Sequence, residues 1–450
     1  MYKYRSFSLI VFSLSLVLAG CISGSQSENP SYLDPAGTEH SPQKPETTQE
    51  ISLSHTVTTL GLTYQGSDGN RVVNGSGNVS GSGTVQIEAG GIILWLVGVP
   101  FQDGVLWTVA LEDGTIESYL VADNEVENYD LGRGPLPAGM PPMILDVEGE
   151  IYLNTPPNDE ASTFTNPVIP DPDTGRVVYI SESGDLVLWE HGETISRLEA
   201  NALPDARLIQ DEKGRLLFLS GPNDQYDHGV LGDSLEATSI SLVETIPELR
   251  LIRHIEIPPP GVIEGIAPIW VDMNSDGTRE VLVTVSDYSS GARLVLFSEE
   301  GQILAEGPAA GQGYRWRHQL AAAPLGPAGE MLIIDVLRPH LDATLEFFSW
   351  EGDRLVLQAE LPGFSSHGIG SRNLDMALVG DLNGDGLLEV VLPGLGQESM
   401  YGISYRNGRA EIMWEVPLGG RLTSNLAGVT QDDGTLVLGA GVGEILLLWQ

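Results

Sequence analysis

Residues 266–306 read IAPIWVDMNSDGTREVLVTVSDYSSGARLVLFSEEGQILAE. Four apolar runs, at 266–273, 280–285, 292–298 and 302–306, are separated by turn residues, the pattern of short strands rather than helices. The same order returns at 319–325, 330–336, 344–350 and 354–360, and again at 375–379, 388–392, 401–405 and 409–416. The glycine of the first turn marks the repeat at Gly175, Gly214, Gly277, Gly329, Gly386 and Gly434, with spacings of 39, 63, 52, 57 and 48 residues. Four strands per unit of about 50 residues predict an all-β fold, a β-propeller of four-stranded blades. Residues 91–131 form an earlier unit of the same kind.

The last unit holds only three strands, at 424–430, 435–439 and 444–449. An open strand edge is a template for aggregation. An N-terminal strand, Thr84–Glu88, is therefore expected to complete this blade and close the ring. Seven blades are counted in this way, within bounds of six to eight, and residues 143–154 form an extra hairpin that suits a degenerate eighth. Two stacked β-sandwiches would not generate the recurrence.

Composition narrows the function. With 54 Gly and 28 Pro in 450 residues, long helices are disfavoured, while 41% apolar residues suffice for a core. Lys and Arg number 22 against 62 Asp and Glu, a net charge of -40 that repels phosphate backbones and attracts divalent cations. Nucleic acid is excluded as a partner on this ground. The single cysteine, Cys21, excludes an intramolecular disulfide and a cysteine-based zinc site.

Two first turns differ from the rest. One reads Asp272-Met-Asn274-Ser-Asp276-Gly277-Thr278-Arg-Glu280, the other Asp381-Leu-Asn383-Gly-Asp385-Gly386-Leu387-Leu-Glu389, both D-x-N-x-D-G-x-x-E. Oxygens at positions 1, 3 and 5 of a tight turn, a carbonyl at 7 and a carboxylate at 9 make the hard-oxygen cage that Ca²⁺ prefers. Asp-Gly turns also serve simply as hairpin connections. The equivalent turns 327–330, 431–434 and 211–214 keep the glycine and lack the alternating ligands, so turn propensity alone does not account for the two acidic loops.

The N-terminus carries Lys3 and Arg5, then a twelve-residue apolar stretch at 7–18, shorter than the roughly 20 residues that span a bilayer. Residues 1–20 read as a signal peptide. Leu18-Ala19-Gly20-Cys21 resembles the lipobox of bacterial lipoproteins, which implies cleavage before Cys21 and acylation there, anchoring the chain to a bacterial membrane on its extracytoplasmic side. Residues 21–50 then form a polar tether with an r.m.s. reach of roughly 30 Å. Residues 51–83 are a Gly/Ser/Asn-rich segment before the propeller domain at 84–450.

The two acidic loops, placed between the first strands of their blades, resemble the FG-GAP (VCBS-like) propeller repeats of the integrin-α type. The resemblance covers residues 204–450, and Gly265-Ile266-Ala267-Pro268 is similar to the Gly-Ala-Pro signature. Position 9 is Glu where the family has Asp. The resemblance implies two structural Ca²⁺ ions that stiffen hairpins on one face of the ring.

Polar residues gather where three consecutive innermost strands begin: Arg315, Trp316, Arg317 and His318; Arg372, Asn373 and Asp375; Arg421 and Asn425. In a propeller this position rings the mouth of the central channel, and such a cluster suits an anionic or sugar-like ligand. Equally, the arginines suit ion pairs that tie blades together. His228, His340 and His367 lie in Gly-rich loops and read as surface or turn residues. No Gly-x-Ser-x-Gly, His-Glu-x-x-His, Walker or dinucleotide motif is present. The leading expectation is a non-catalytic surface propeller that binds a protein or glycan. A carbohydrate-active enzyme using Asp375, His318 and Arg317 is the alternative, and an envelope-assembly scaffold is a third.

Overall fold

A computed structural model describes residues 56–81, 83–132 and 134–450, so Cys21, the signal peptide and the tether lie outside the described residues. No described helix is long and apolar enough to cross a membrane. The fold is a β-propeller. Seven four-stranded blades follow one another along the chain: blade 1 at 93–128, blade 3 at 168–198, blade 4 at 209–256, blade 5 at 269–306, blade 6 at 317–362, blade 7 at 378–417 and blade 8 at 426–449. Blade 2 is the hairpin Ile144–Val147 and Glu150–Leu153, with Val57–Gly61 as a third strand.

Burial within a blade follows strand position. Second strands such as Gly104–Leu111, Glu280–Asp287 and Leu436–Val442 are buried throughout, because neighbouring blades cover both faces. Outermost strands such as Glu125–Asn128 and Arg250–Glu256 face solvent and carry charges, which protects the edge from pairing with other chains.

Shared cores show that the ring closes. Leu106 and Val97 of blade 1 pack with Ile144 and Leu153 of blade 2. One continuous core links blades 2 to 5 through Leu145, Val178, Phe218 and Val283. Leu282 meets Ile333, Phe347 meets Val390, and Val391 meets Leu438, which joins blades 5 to 8. Trp107 of blade 1, fully buried, then fills the seam with blade 8. Its ring lies where a Cβ on Gly98 or Gly439 would stand within 2.7 Å of it, so both positions exclude any larger residue.

Blade 8 is completed as expected: Thr84–Glu88 pairs antiparallel along Ile445–Trp449, from Thr84 opposite Trp449 to Glu88 opposite Ile445. The residues just before it require a correction. Residues 57–81, set outside the propeller by their loop-like composition, are built into its centre. Ser67 O accepts from Gln210 N of blade 4 at 2.7 Å, and Asp68 O from Trp270 N of blade 5 at 2.9 Å. Asn70 bonds both backbone groups of Ala322 in blade 6, at 2.8 and 3.0 Å. Val72–Ser76 then runs parallel to Leu378–Asp381 of blade 7. Polar and glycine residues are needed here because the innermost strands present backbone groups to the channel, and these must be bonded when buried.

Candidate functional site

The ring has two faces. One bears the first turns with the acidic loops. The other bears the loops that lead into the innermost strands, and with them every candidate ligand residue at 315–318, 372–375 and 421–425.

In the loop at 381–389, Asp381 accepts from Gly384 N at 2.8 Å, from Gly386 N at 3.1 Å and from the Ser76 hydroxyl at 2.8 Å. Asn383 accepts from Asp385 N at 2.8 Å and Asp385 from Leu387 N at 2.9 Å. Gly386 sits at φ 81°, the left-handed bend that a side chain would strain. Carboxylate oxygens of Asp381, Asp385 and Glu389 lie within 4.8 Å of one another. Glu389 is fully buried; its Oε2 accepts from Leu382 N at 2.9 Å, and its Oε1 has no partner. Burial pushes the Glu389 carboxyl up to about 7, with the charges of Asp385 and Asp381 acting the same way. A buried, unpartnered carboxylate oxygen facing two further carboxylates fits a bound divalent cation.

The loop at 272–280 repeats the frame with a different balance. Asp272 accepts from Asp276 N at 3.1 Å and Gly277 N at 2.9 Å, and Glu280 accepts from Met273 N at 2.8 Å. The Asn274 amide nitrogen donates to Asp276 at 3.0 Å, and the Thr278 amide also donates to Asp276 at 2.7 Å. Among the described residues, only the 381–389 loop draws three carboxylates so close.

The mouth residues are mostly engaged within the fold. Arg317 is buried and pairs with Asp335 at 2.9 Å and with Glu346. Asp375 is buried between Arg71 and Arg207, each at 2.9 Å, with the Thr63 hydroxyl at 3.2 Å. Burial alone would raise the Asp375 carboxyl, but the two guanidiniums outweigh it and hold it below the usual range. Asn425 bonds the amide and carbonyl of Leu96, both at 2.7 Å, joining blade 8 to blade 1. Arg372 bridges Asp205 at 2.8 Å and Asp233, and lies 4.4 Å over the Phe164 ring. Arg421 donates to Gln397 at 2.9 Å, Arg315 to the Gln312 carbonyl at 2.9 Å, and Asn373 accepts from Asp375 N at 3.0 Å. Asp375, His318 and Arg317 therefore do not converge on an open site.

What the mouth does present is a set of rings and acids far apart in sequence. Trp316 stacks on His318 at 5.1 Å and His340 at 5.9 Å, with His367 edge-on at 5.0 Å. His340 and His367 are each held near 4 by burial, so they are neutral at neutral pH. His228 stacks on Tyr314 at 5.1 Å and bonds the buried Glu264 at 2.6 Å. Only separate loops signalled these groups, since His228 and His367 are 139 positions apart.

No family model matches the chain, and no curated protein matches it. Among solved structures, a chain from a mitotic checkpoint complex is similar at 12% identity, with 81% of this chain and 94% of that one covered and a TM-score of 0.41. A quinohemoprotein alcohol dehydrogenase from Pseudomonas putida HK5 is similar at 10% identity, with 86% and 79% covered and a TM-score of 0.48.

Glu236, nearly inaccessible, has an Oε2 without a partner. Burial, then the charges of Glu264, Asp205 and Asp233, push its carboxyl up to about 10. A folded pKa above the unfolded one means stability that is complete below about 4.5 and lost as pH rises towards 10. Glu236→Gln removes this loss, so the variant should gain about 1–3 kcal/mol on the native protein between pH 5 and pH 8. Parallel pH dependences of melting temperature for the two proteins would refute it.

Proposed function

We propose that the chain is a lipid-anchored, extracytoplasmic binding propeller whose acidic loops hold Ca²⁺ as a structural ion and whose mouth face docks a partner protein. The observation that carries the binding reading is where apolar side chains remain exposed. Tyr288, Leu341 and Ile369 are 67%, 68% and 74% exposed, and they lie on the mouth-face loops of three consecutive blades. Exposed apolar groups grouped on one face mark interaction sites, whereas single scattered ones do not. The aliphatic pair favours a protein. The neighbouring rings of Tyr288 and Tyr314, 5.7 Å apart, favour a glycan as the second reading. The enzyme reading has no comparable support, since Asp375 and Arg317 are consumed by internal ion pairs and His318 is buried away from solvent.

The calcium reading rests on the ligand pattern and on the unpartnered oxygen of Glu389. The loops would hold the ion through Asp381, Asn383, Asp385 and Glu389, and through Asp272, Asn274, Asp276 and Glu280; bound, it supplies charge that cancels carboxylate repulsion. At millimolar calcium each site should add about 0.5–1.5 kcal/mol. EDTA should lower the melting temperature, Asp385→Ala should remove most of that effect and Asp276→Ala the remainder. A melting curve indifferent to EDTA would defeat the assignment.

The anchor rests on Leu18-Ala19-Gly20-Cys21. Cys21→Ser should move the protein from the membrane fraction to the soluble one, and continued sedimentation with membranes would overturn the anchor. For docking, Leu341→Glu with Ile369→Glu should abolish cross-linking to a surface protein while the melting temperature holds. Cross-linking at the native level would remove this face from consideration, and retention on a sugar polymer instead would move the assignment to a glycan.

A further inference from the structure

His340 Nε2 and His367 Nδ1 face each other at 2.8 Å. His367 Nε2 lies 2.6 Å from the Ser371 carbonyl, which can only accept, so the ring proton sits there and Nδ1 presents its lone pair to His340. Fixing the outer nitrogen of an imidazole on a backbone carbonyl is how proteins orient a metal-ligating histidine. Nearby, His318 Nδ1 is bonded to the Ser366 hydroxyl at 2.9 Å, and its fully buried Nε2 has no partner. Its ring centre is 6.3 Å from that of His367. The site opens to solvent through half-buried His340, beside the exposed Leu341.

We propose that His340 and His367 form the core of a transition-metal site on the mouth face, separate from the calcium loops, with water completing the coordination from the solvent side. The spacing selects the metal. With metal–nitrogen bonds of about 2.0–2.1 Å, nitrogens 2.8 Å apart subtend roughly 85–90°, the cis angle of a tetragonal ion, whereas a tetrahedral ion would need about 3.3 Å. Cu²⁺ and Ni²⁺ take that geometry with imidazole, and Cu²⁺ stands highest in the affinity series for nitrogen donors. Oxygen-seeking Ca²⁺ has no reason to enter. Trp316, stacked on His318 and His340, serves as a built-in reporter because a paramagnetic ion nearby quenches indole fluorescence.

The test titrates the full chain in detergent, with calcium in excess, using Cu²⁺, Ni²⁺ and Zn²⁺ in turn. Tryptophan emission is followed throughout, and the Cu²⁺ complex is examined by electron paramagnetic resonance. One Cu²⁺ per chain should bind with a spectrum split by at least two imidazole nitrogens and with affinity in the order Cu²⁺, Ni²⁺, Zn²⁺. His340→Ala and His367→Ala should each weaken Cu²⁺ binding at least tenfold, and His191→Ala should not. A spectrum of the native protein without imidazole nitrogens would overturn the site, whatever the variants do. So would His340→Ala and His367→Ala variants that bind as the native chain does, leaving the pair as an ordinary imidazole–imidazole hydrogen bond.

Discussion

The carboxylate of Asp375, buried at the centre of the ring, is held between the guanidiniums of Arg71 and Arg207. Each group comes from a different part of the chain: the N-terminal segment, the approach to blade 4 and the approach to blade 7. Stripped of water, any one of these charges would be costly alone, and removing one partner of such a pair typically costs about 3–5 kcal/mol. The cost makes the arrangement specific. Arg71 must occupy the middle of the channel, where it also donates to the Leu320 carbonyl of blade 6 at 2.8 Å. Arg207 lies 4.7 Å over the Tyr64 ring, so a second point of the same segment is pinned. With residues 64 and 71 fixed at the axis, Val72–Ser76 is delivered to blade 7 and Thr84–Glu88 to the open edge of blade 8. Ring closure thus depends on a polar triad as much as on the sheets.

Much of the ring was legible because a blade is a local object. Its four strands and first turn lie within about 50 residues, so the marker glycines and the two D-x-N-x-D-G loops repeat visibly along the chain. Even the closing strand could be anticipated, since a three-stranded final unit demands a partner. Residues 57–81 were not legible, because their Gly, Asn and Ser side chains look the same in a loose linker and in a segment bonding the inner strands. Only spatial neighbours such as Ala322, 252 residues from Asn70, separate the two cases. The arginines failed as ligand candidates for a related reason. Arg372 meets Asp205 and Asp233 at separations of 167 and 139 residues, and one sequence holds no trace of such pairs.

The two acidic loops share a motif and differ in their surroundings. Asp381 receives the hydroxyl of Ser76, a residue of the central segment, and Arg406 of the same blade reaches Asp385. Around the 272–280 loop, Arg279 instead turns to Glu212 of blade 4 at 2.7 Å and to the Trp270 carbonyl at 2.8 Å. Both loops therefore touch the segment that fills the ring, the 272–280 loop through Arg279 and Asp68 at 3.6 Å and the 381–389 loop through Ser76, and the 272–280 loop is tied to blade 4 as well. A cation that orders the 381–389 loop would act on the same strand that Arg71 positions, so binding there bears on closure and not merely on one hairpin.

The division of labour between faces follows from this construction. First turns are short and cross between adjacent strands, so they can be stiffened by a few oxygens and glycine bends. Among the opposite loops, those that span from the outer edge of one blade to the axis of the next carry Tyr314, Trp316 and His367 out of the repeat, and His340 joins them from the loop between the second and third strands of blade 6. Because residues 57–81 occupy the centre, anything meeting these side chains meets a closed floor and not an open channel. Selectivity on that face must therefore come from its loops and rings, and a change in them would alter binding while leaving the repeat, its turns and its closure untouched.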